Sequence, residues 1–290
     1  MDRRNIEFPT VDGVTLRGHF YPARGQGTIQ KAPCIIMAHG IRLTGLKEHF
    51  LPDFADRFQA AGYGVIAYDH RNWGASDGLP RYETNPIQQG LDLSDAFDFA
   101  LSLPEVDGTK IAYWGSSMSG GAALYAAALD HRICAVIAQV PFVSGETIAP
   151  HFAPLLPSLY SSLQEAKAGK KVDLLKMFTT DPEAAMKEDP SSLINDPNIA
   201  GFLKEFKDDN FPFYPYITPQ TLFNMVAFEP LAYAGADRCA PAFPQLKAYQ
   251  QALEPKRLAL LQDKGHFDPY YGETFEDNIK APLAFLKEFL

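Results

Sequence analysis

The residues with the clearest chemical potential form a short turn centred on a serine. Residues 111–121 read IAYWGSSMSGG, an apolar run that breaks at Gly115 and continues beyond Gly121 into an alanine-rich stretch. A serine raised out of a sheet on a sharp strand-to-helix turn can act as a nucleophile, provided that the residues two positions away on either side are small. Gly115 and Ser119 fill those positions around Ser117. We therefore predict Ser117 as the nucleophile; the alternative register gives this role to Ser119.

A serine hydroxyl needs a histidine to take its proton and an acid to orient that histidine. Of the seven histidines, only His266 lies in the last quarter of the chain, where it follows the apolar run 258–261. Asp237 ends another apolar run, LAYAGAD. Each of the three residues follows its own predicted strand, and serine, aspartate, histidine is a chain order that such triads adopt. We predict Asp237 as the acid and His266 as the base; the alternative acids are Asp263, Asp268 and Glu229.

Two backbone N–H groups must stabilise the negative oxygen that forms when the serine attacks a carbonyl carbon. One belongs to the residue after the nucleophile, Met118, and the other to the loop after the third strand. That loop follows the apolar run APCIIMA and begins with His39 and Gly40, where the glycine lets the backbone approach a ligand closely. We predict Ile41 as the second donor. His39 either contacts the substrate or only packs within the loop.

Strand and helix patterns alternate along the chain, which predicts an α/β fold with a mostly parallel, eight-stranded sheet and helices on both faces. Residues 5–11 and 14–23, joined at Asp12-Gly13, predict an antiparallel hairpin at one edge. The remaining predicted strands cover about residues 34–39, 64–69, 110–115, 134–140, 231–236 and 257–261, and the helices cover about 48–61, 86–102, 118–129, 243–253 and 274–289.

The alternation stops between residues 144 and 228, a stretch with many prolines, scattered aromatic residues and short helical patterns. Because it falls over the carboxyl ends of the strands that carry the triad, we predict a helical lid at 144–228 inserted into a core of 1–143 and 229–290. Most of its aromatic residues form the lid's own core, but the segment FPFYPY also predicts a rigid apolar wall for a lipophilic substrate. The predicted substrate-binding residues are His39, Gly40, Trp73, Phe211, Phe213 and Tyr214.

The composition excludes several other classes of protein. There are 26 Lys and Arg against 35 Asp and Glu, a net charge of −9 without a basic cluster, which argues against nucleic-acid binding. Three cysteines cannot all pair, and their spacing has no metal-binding pattern, so we expect neither disulfides, a metal nor a cofactor. No apolar run resembles a secretion signal or a membrane span, which predicts a cytoplasmic protein. A homodimer is compatible with these properties.

The motifs together resemble the α/β-hydrolase superfamily over nearly the whole chain. The AHG loop, the GSSMSGG turn, the Asp237 loop and KGHFDPYYG carry this resemblance. Within the superfamily, HRNWGASDGLPRYE, the GHFDPY ending and the absence of an HGGG loop are similar to fungal polyketide transferases and related hydrolases of secondary metabolism. The resemblance implies hydrolysis or transfer of a hydrophobic acyl group, supplied as an ester or a carrier-bound thioester, with the acyl group carried on Ser117.

Two other functions stay open at this stage. A peptidase similar to the X-Pro-peptidase-like proteins would use the same triad, but it would need an anchor for a peptide terminus. A non-catalytic binding protein on the same scaffold would not require Ser117, Asp237 and His266 together. Labelling by a fluorophosphonate separates an enzyme from a binding protein, and a panel of acyl esters, acyl thioesters and aminoacyl amides separates the two kinds of enzyme.

Overall fold

A six-stranded sheet forms the centre of the molecule. The computed structural model describes residues 2–25, 31–40, 50–187, 189, 191–205, 214–233 and 244–290. In this part of the chain the sheet consists of β1 (Arg4–Pro9), β2 (Thr15–Tyr21), β3 (Ala32–Ala38), β4 (Gly64–Tyr68), β5 (Val106–Ser116) and β6 (Ala135–Gln139). Their spatial order is β1-β2-β4-β3-β5-β6. The pairs β1–β2 and β2–β4 are antiparallel, and the pairs β4–β3, β3–β5 and β5–β6 are parallel.

The register of the parallel strands brings their carboxyl ends to one edge. Gly115 of β5 pairs with Ala38 of β3 on one side and with Ala138 of β6 on the other. The segments after these three strands therefore begin side by side, since parallel strands in register end at the same level. Residues 39 and 40, the serine turn and the loop after Gln139 all start there.

Helices cover both faces of the sheet. The main ones are α1 (Leu51–Ala60), α2 (Pro86–Ser102) and α3 (Met118–Leu129), followed near the end of the chain by α9 (Pro244–Gln251), α10 (Gly272–Asn278) and α11 (Lys280–Phe289). On one face Phe54 of α1 packs near Trp114 of β5, and on the other Phe97 of α2 joins Tyr113 in a separate buried cluster. Burial on both faces explains why β3 and β4 read as continuous apolar runs rather than alternating ones.

Between β6 and α9 the chain forms short elements. They are α4 (Ala149–Phe152), a 3₁₀ turn (Ala153–Leu155), α5 (Leu156–Lys167), α6 (Pro182–Ala185), α7 (Ile199–Glu205), α8 (Pro219–Val226) and a ribbon of β7 (Leu175–Lys176) with β8 (Tyr216–Ile217). Phe202 packs on Phe50 and Phe267, and Phe228 lies near Tyr125, so aromatic rings join this segment to the rest of the molecule. The division into a core and a lid at 144–228 stays a prediction.

Two predicted strands differ from the structure. Of the strand predicted at 231–236, residues 234–236 lie outside the described residues. Residues Pro230–Tyr233 form a 3₁₀ helix, in which the Ala232 N–H donates to the Glu229 carbonyl instead of to a neighbouring strand. Residues 257–261 have no strand pairing in the described chain, and the Leu260 side chain is 70% exposed. A short apolar run predicts burial but does not specify which neighbour would complete the ladder. The predicted closing helix also divides in two, at Ile279.

No helix among the described residues has the length and apolar composition needed to cross a membrane.

Candidate active site

The serine turn has the strained backbone that its residue types predict. β5 ends at Ser116 and α3 begins at Met118, so Ser117 alone connects strand to helix. Its φ of 56° and ψ of −119° lie in a region that residues other than glycine rarely adopt. Four backbone hydrogen bonds hold it: the Ser117 N–H donates to the Gln139 carbonyl at 2.9 Å, and its carbonyl accepts from Phe142 at 2.9 Å, from Gly120 at 3.0 Å and from Gly121 at 3.3 Å.

Glycines around this serine are required by close backbone contacts. A Cβ at Gly115 would lie 2.1 Å from the Ser119 carbonyl oxygen, and one at Gly121 would lie 2.0 Å from the Phe142 carbonyl oxygen. Both contacts are far shorter than van der Waals distance and involve backbone atoms, which cannot move aside as a flexible side chain can. The glycines thus allow the turn to close and α3 to pack against the loop after β6.

His266 is the described residue whose side chain reaches Ser117. Its Nε2 lies 3.2 Å from Ser117 Oγ. The turn that carries it is held by Asp268, whose carboxylate accepts the Gly265 N–H at 2.8 Å and the Tyr271 hydroxyl at 3.3 Å. Asp268 therefore supports the backbone of the histidine loop.

The structure describes the three alternative acids but not the predicted one. Asp237 lies outside the described residues. Asp268 binds the groups just named, Glu229 accepts the backbone N–H of Glu146, and Asp263 is exposed at a positive φ of 55°. Among the hydrogen bonds of the described residues, none joins Asp268 or Glu229 to the His266 ring.

Burial sets the protonation state of His266. Loss of contact with water lowers the pKa of this imidazole below its ordinary value of 6.5, and the carboxylate of Asp196 acts in the opposite direction. The net effect favours the neutral ring near pH 7, which is the form that can accept a proton.

A second set of hydrogen bonds fastens the histidine loop to the ends of β5 and β6. The Tyr270 hydroxyl is hydrogen-bonded to Ser116 Oγ, next to the strained serine. Asn278 Nδ2 donates to Gln139 Oε1 at 2.6 Å and to the Pro269 carbonyl at 3.3 Å. The sequence analysis did not predict these contacts. The only feature that could have indicated them is the run of polar and aromatic residues after His266.

His39 and Gly40 lie at the carboxyl end of β3, beside the serine turn. His39 is 2% exposed, and its Nδ1 donates to the Gly40 carbonyl at 2.8 Å. Ser119 is fully buried and donates its hydroxyl to the His39 carbonyl, so it does not face open space as a nucleophile must. Met118 begins α3, where the first N–H groups have no acceptor within the helix. Ile41 lies outside the described residues.

Ser117 and His266 open onto a cavity of about 230 Å³. The rest of its described lining comes from the loop after β6 and from the start of α9: Val140, Pro141, Phe142, Val143, Ser144, Thr147, Ile148, Pro244 and Gln245. Apart from His266, these side chains are apolar or uncharged. Such a lining suits an acyl group with little charge.

Of the predicted substrate-binding aromatic residues, Trp73 and Tyr214 are described. Trp73 is 2% exposed, and its Nε1 donates to the Glu83 carbonyl at 3.1 Å. Tyr214 stacks on Tyr82 with ring centroids 4.2 Å apart, and Tyr82 also packs edge-on against Trp73. Neither Trp73 nor Tyr214 lines the cavity described above. Phe211 and Phe213 lie outside the described residues.

Comparisons with a family model, with curated relatives and with solved structures all find similar proteins. Residues 30–208 match the family model described as serine aminopeptidase, S33. The polyketide transferase af380 of Aspergillus fumigatus is 31% identical over 100% of this chain and 99% of its own, and the thiohydrolase aneE of Aspergillus aculeatus is 28% identical over 98% and 93%. The crystal structure of the α/β-hydrolase GrgF from Penicillium sp. sh18 superposes with a TM-score of 0.81 at 30% identity, covering 100% of this chain and 99% of that one. The chain belongs to the serine aminopeptidase S33 family and has the α/β-hydrolase fold.

Proposed function

We propose that the chain is a serine hydrolase or acyltransferase that acts through an acyl-enzyme on an ester or thioester of a hydrophobic, polyketide-type acid. The observation that carries the proposal is the pairing of a strained serine with a histidine, both half-buried, with 3.2 Å between Ser117 Oγ and His266 Nε2. Asp237 is the proposed acid, and the N–H groups of Met118 and Ile41 are the proposed oxyanion donors.

In the proposed reaction, Ser117 Oγ attacks the acyl carbon while its proton passes to His266 Nε2. The electron pair of the carbonyl bond moves to oxygen, which the two N–H groups stabilise. Collapse of this intermediate breaks the bond to the leaving thiol or alcohol, which takes the proton from His266. Water or another acceptor then attacks the acyl-enzyme, gives its proton to His266, and releases Ser117 as the proton returns to it.

The substrate class is supported by two independent observations. Relatives that match nearly the full length of the chain are named thiohydrolases and polyketide transferases. The cavity beside Ser117 is lined mainly by Val140, Phe142, Val143 and Ile148, which suit an apolar acyl chain. The family description names an aminopeptidase instead, so aminoacyl amides belong in any substrate panel.

Our first prediction tests the triad. Ser117→Ala should lose fluorophosphonate labelling and lower the rate by a factor on the order of 10⁴ to 10⁶, because no nucleophile remains. Asp237→Asn should slow acylation by roughly 10² to 10⁴, because the histidine loses its orientation and the support of its charged form. Steady-state rates on p-nitrophenyl esters and N-acetylcysteamine thioesters measure both effects, with circular dichroism to verify folding.

Ser102→Ala, which removes an exposed hydroxyl at the end of α2, is the matched control and should behave as the wild type. Normal labelling of Ser117→Ala would exclude the proposed nucleophile. Faster turnover of aminoacyl amides than of every ester and thioester would replace the proposed substrate class with peptides.

A further inference from the structure

The turn that carries His266 is held together by its own hydrogen bonds. The Gly265 N–H donates to the Asp268 carboxylate at 2.8 Å, and the Tyr270 N–H donates to the Phe267 carbonyl at 3.3 Å. Tyr270 is also the last residue of a single 3₁₀ turn. Because these bonds link residues on both sides of His266, the position of the histidine depends on where the far end of the turn is fixed.

Tyr270 fixes that end beside the proposed nucleophile. Its hydroxyl is hydrogen-bonded to Ser116 Oγ, and both residues are buried, with exposed fractions of 2% and 1%. Ser116 is the last residue of β5 and directly precedes Ser117. The Tyr270 ring packs against Phe50 and Phe202, with centroids 5.6 and 6.1 Å apart. Packing thus places the ring, and the hydroxyl ties it to the end of the strand.

Asn278 fixes the same turn a second time. Its Nδ2 donates to the Pro269 carbonyl at 3.3 Å and to Gln139 Oε1 at 2.6 Å. The Nε2 of the same Gln139 amide lies 3.5 Å from Ser116 Oγ, and the Gln139 carbonyl accepts the Ser117 N–H at 2.9 Å. The hydrogen bonds therefore form a ring that runs from the histidine turn to β6, across to the end of β5, and back through the tyrosine hydroxyl.

Both partners of the proposed proton transfer are held by the same two strand ends. Ser117 is held through its backbone and His266 through its turn, and 3.2 Å separates Ser117 Oγ from His266 Nε2. This distance matters because a misplacement of about 1 Å can lower the rate of a reaction roughly a hundredfold.

We infer that Tyr270 and Asn278 are positioning residues, which hold His266 at hydrogen-bonding distance from Ser117. The inference rests on the proposed function and deepens it, because it concerns how the same serine and histidine are aligned. Neither Tyr270 nor Asn278 lines the described cavity beside Ser117. Their loss should therefore lower kcat more than it raises KM, since it affects the proton transfers rather than binding of the acyl group.

The experiment compares two butyrate esters that give the same acyl-enzyme, one of ethanol and one of p-nitrophenol. p-Nitrophenolate leaves without a proton, whereas an alkoxide must receive one from His266 as it departs. Since kcat/KM covers only the steps up to release of the alcohol, the ethyl-to-nitrophenyl ratio of kcat/KM measures how well His266 delivers a proton. A loss of folded protein lowers both values equally and leaves this ratio unchanged.

For Tyr270→Phe we expect kcat/KM on ethyl butyrate to fall about tenfold to a hundredfold, which is part of the roughly 10²- to 10⁴-fold that general acid–base catalysis contributes. The value on p-nitrophenyl butyrate should fall less, so the ratio decreases. Asn278→Ala should decrease the ratio as well. Ser116→Ala removes the partner of the Tyr270 hydroxyl, so adding it to Tyr270→Phe should have little further effect, because both substitutions remove one hydrogen bond.

Two variants serve as matched controls. Tyr113→Phe removes another fully buried hydroxyl of β5, which donates to the Leu93 carbonyl at 3.2 Å on the other face of the sheet. Asn224→Ala removes an amide that donates to the Thr84 carbonyl at 2.9 Å. Both should lower stability without changing the ethyl-to-nitrophenyl ratio.

A wild-type ratio in Tyr270→Phe or in Asn278→Ala would overturn the inference, even where stability falls. An equal decrease of the ratio in Tyr113→Phe would overturn it too, because loosening of the core would then be sufficient. Failure of the proposed function is a separate result, which would appear as turnover or labelling that persists in Ser117→Ala.

Discussion

At the level of single residues, the environment of His266 determines its pKa, and with it the pH range in which the proposed base is neutral. Its pKa lies below the ordinary 6.5 because burial disfavours the charged ring, while Asp196 opposes this shift. Only the neutral ring accepts the proton of Ser117, so the acylation rate should rise as pH increases through this pKa and then level off. Our third prediction is that the acylation rate, measured in single-turnover experiments, increases with pH and that the midpoint of this increase lies below pH 6.5.

Asp196→Asn tests the cause of that shift. Removing a negative charge that favours the protonated ring should move the midpoint to lower pH, with little change in the plateau rate. The matched control is Asp181→Asn, at the start of α6, which should leave the midpoint unchanged. If the midpoint of Asp196→Asn moves to higher pH, or if the wild-type midpoint lies above pH 7, charges other than Asp196 determine the pKa of His266.

At the level of elements, an ion-pair cluster joins the β1–β2 turn to α2. Arg71 binds both oxygens of Asp92, at 2.5 and 2.8 Å, and both oxygens of Asp12, at 2.8 and 2.9 Å. The Asp92 side chain is fully buried and that of Asp12 is 47% exposed. Burial raises the pKa of Asp92, and the hydrogen bonds from Arg71 oppose that effect. Arg71 is thus the partner that allows this carboxylate to be charged inside the protein.

Our fourth prediction follows from that difference in burial. Arg71→Leu should lower the free energy of unfolding by about 3 to 5 kcal/mol, because an unpaired carboxylate stays buried. Asp12→Asn, which breaks the exposed half of the cluster, should cost about 0.2 to 1 kcal/mol. Urea unfolding measures both. The loss of unfolding free energy in Arg71→Leu should become smaller as pH falls from 7 toward 5, because protonation of Asp92 removes the buried charge. A loss that does not change with pH would contradict this account.

How much the sequence predicts depends on how local each contact is. The hairpin, β3 to β6 and helices α1 to α3 follow from periodicity and turn residues, and these predictions are confirmed with boundaries shifted by a few residues. The strands predicted at 231–236 and 257–261 had only short apolar runs to support them. Contacts such as Ser116 with Tyr270, 154 positions apart, leave no periodic signal. Strand order places Ser117 at the carboxyl edge of the sheet, but His266 follows no paired strand in the described chain, so their 3.2 Å contact depends on how the loops pack.

At the level of the whole molecule, the cavity beside Ser117 lies between the core sheet and the segment that follows β6. Its described walls come from the loop 140–148 and the start of α9 rather than from Trp73 or Tyr214. The sequence could not indicate this, because the direction of a loop side chain depends on packing between distant parts of the chain. The loop begins directly after Gln139, whose carbonyl holds Ser117 in place. The loop after β6 therefore both contacts Ser117, through the Phe142 N–H, and forms the wall of the cavity beside it.

Our fifth prediction is that this wall determines acyl-chain preference. Each methylene buried in the cavity contributes up to about 0.8 kcal/mol, so kcat/KM on p-nitrophenyl esters should rise roughly three- to fourfold per methylene until the cavity is full. Ile148→Ala removes part of the wall and should move this limit to longer chains with little effect on the acetyl ester. Tyr160→Ala, at an exposed ring outside the cavity lining, should leave it unchanged. Rates independent of chain length, or an equal shift in both variants, would show that the acyl group binds elsewhere, because only a chain in contact with Ile148 gains from the space its removal creates.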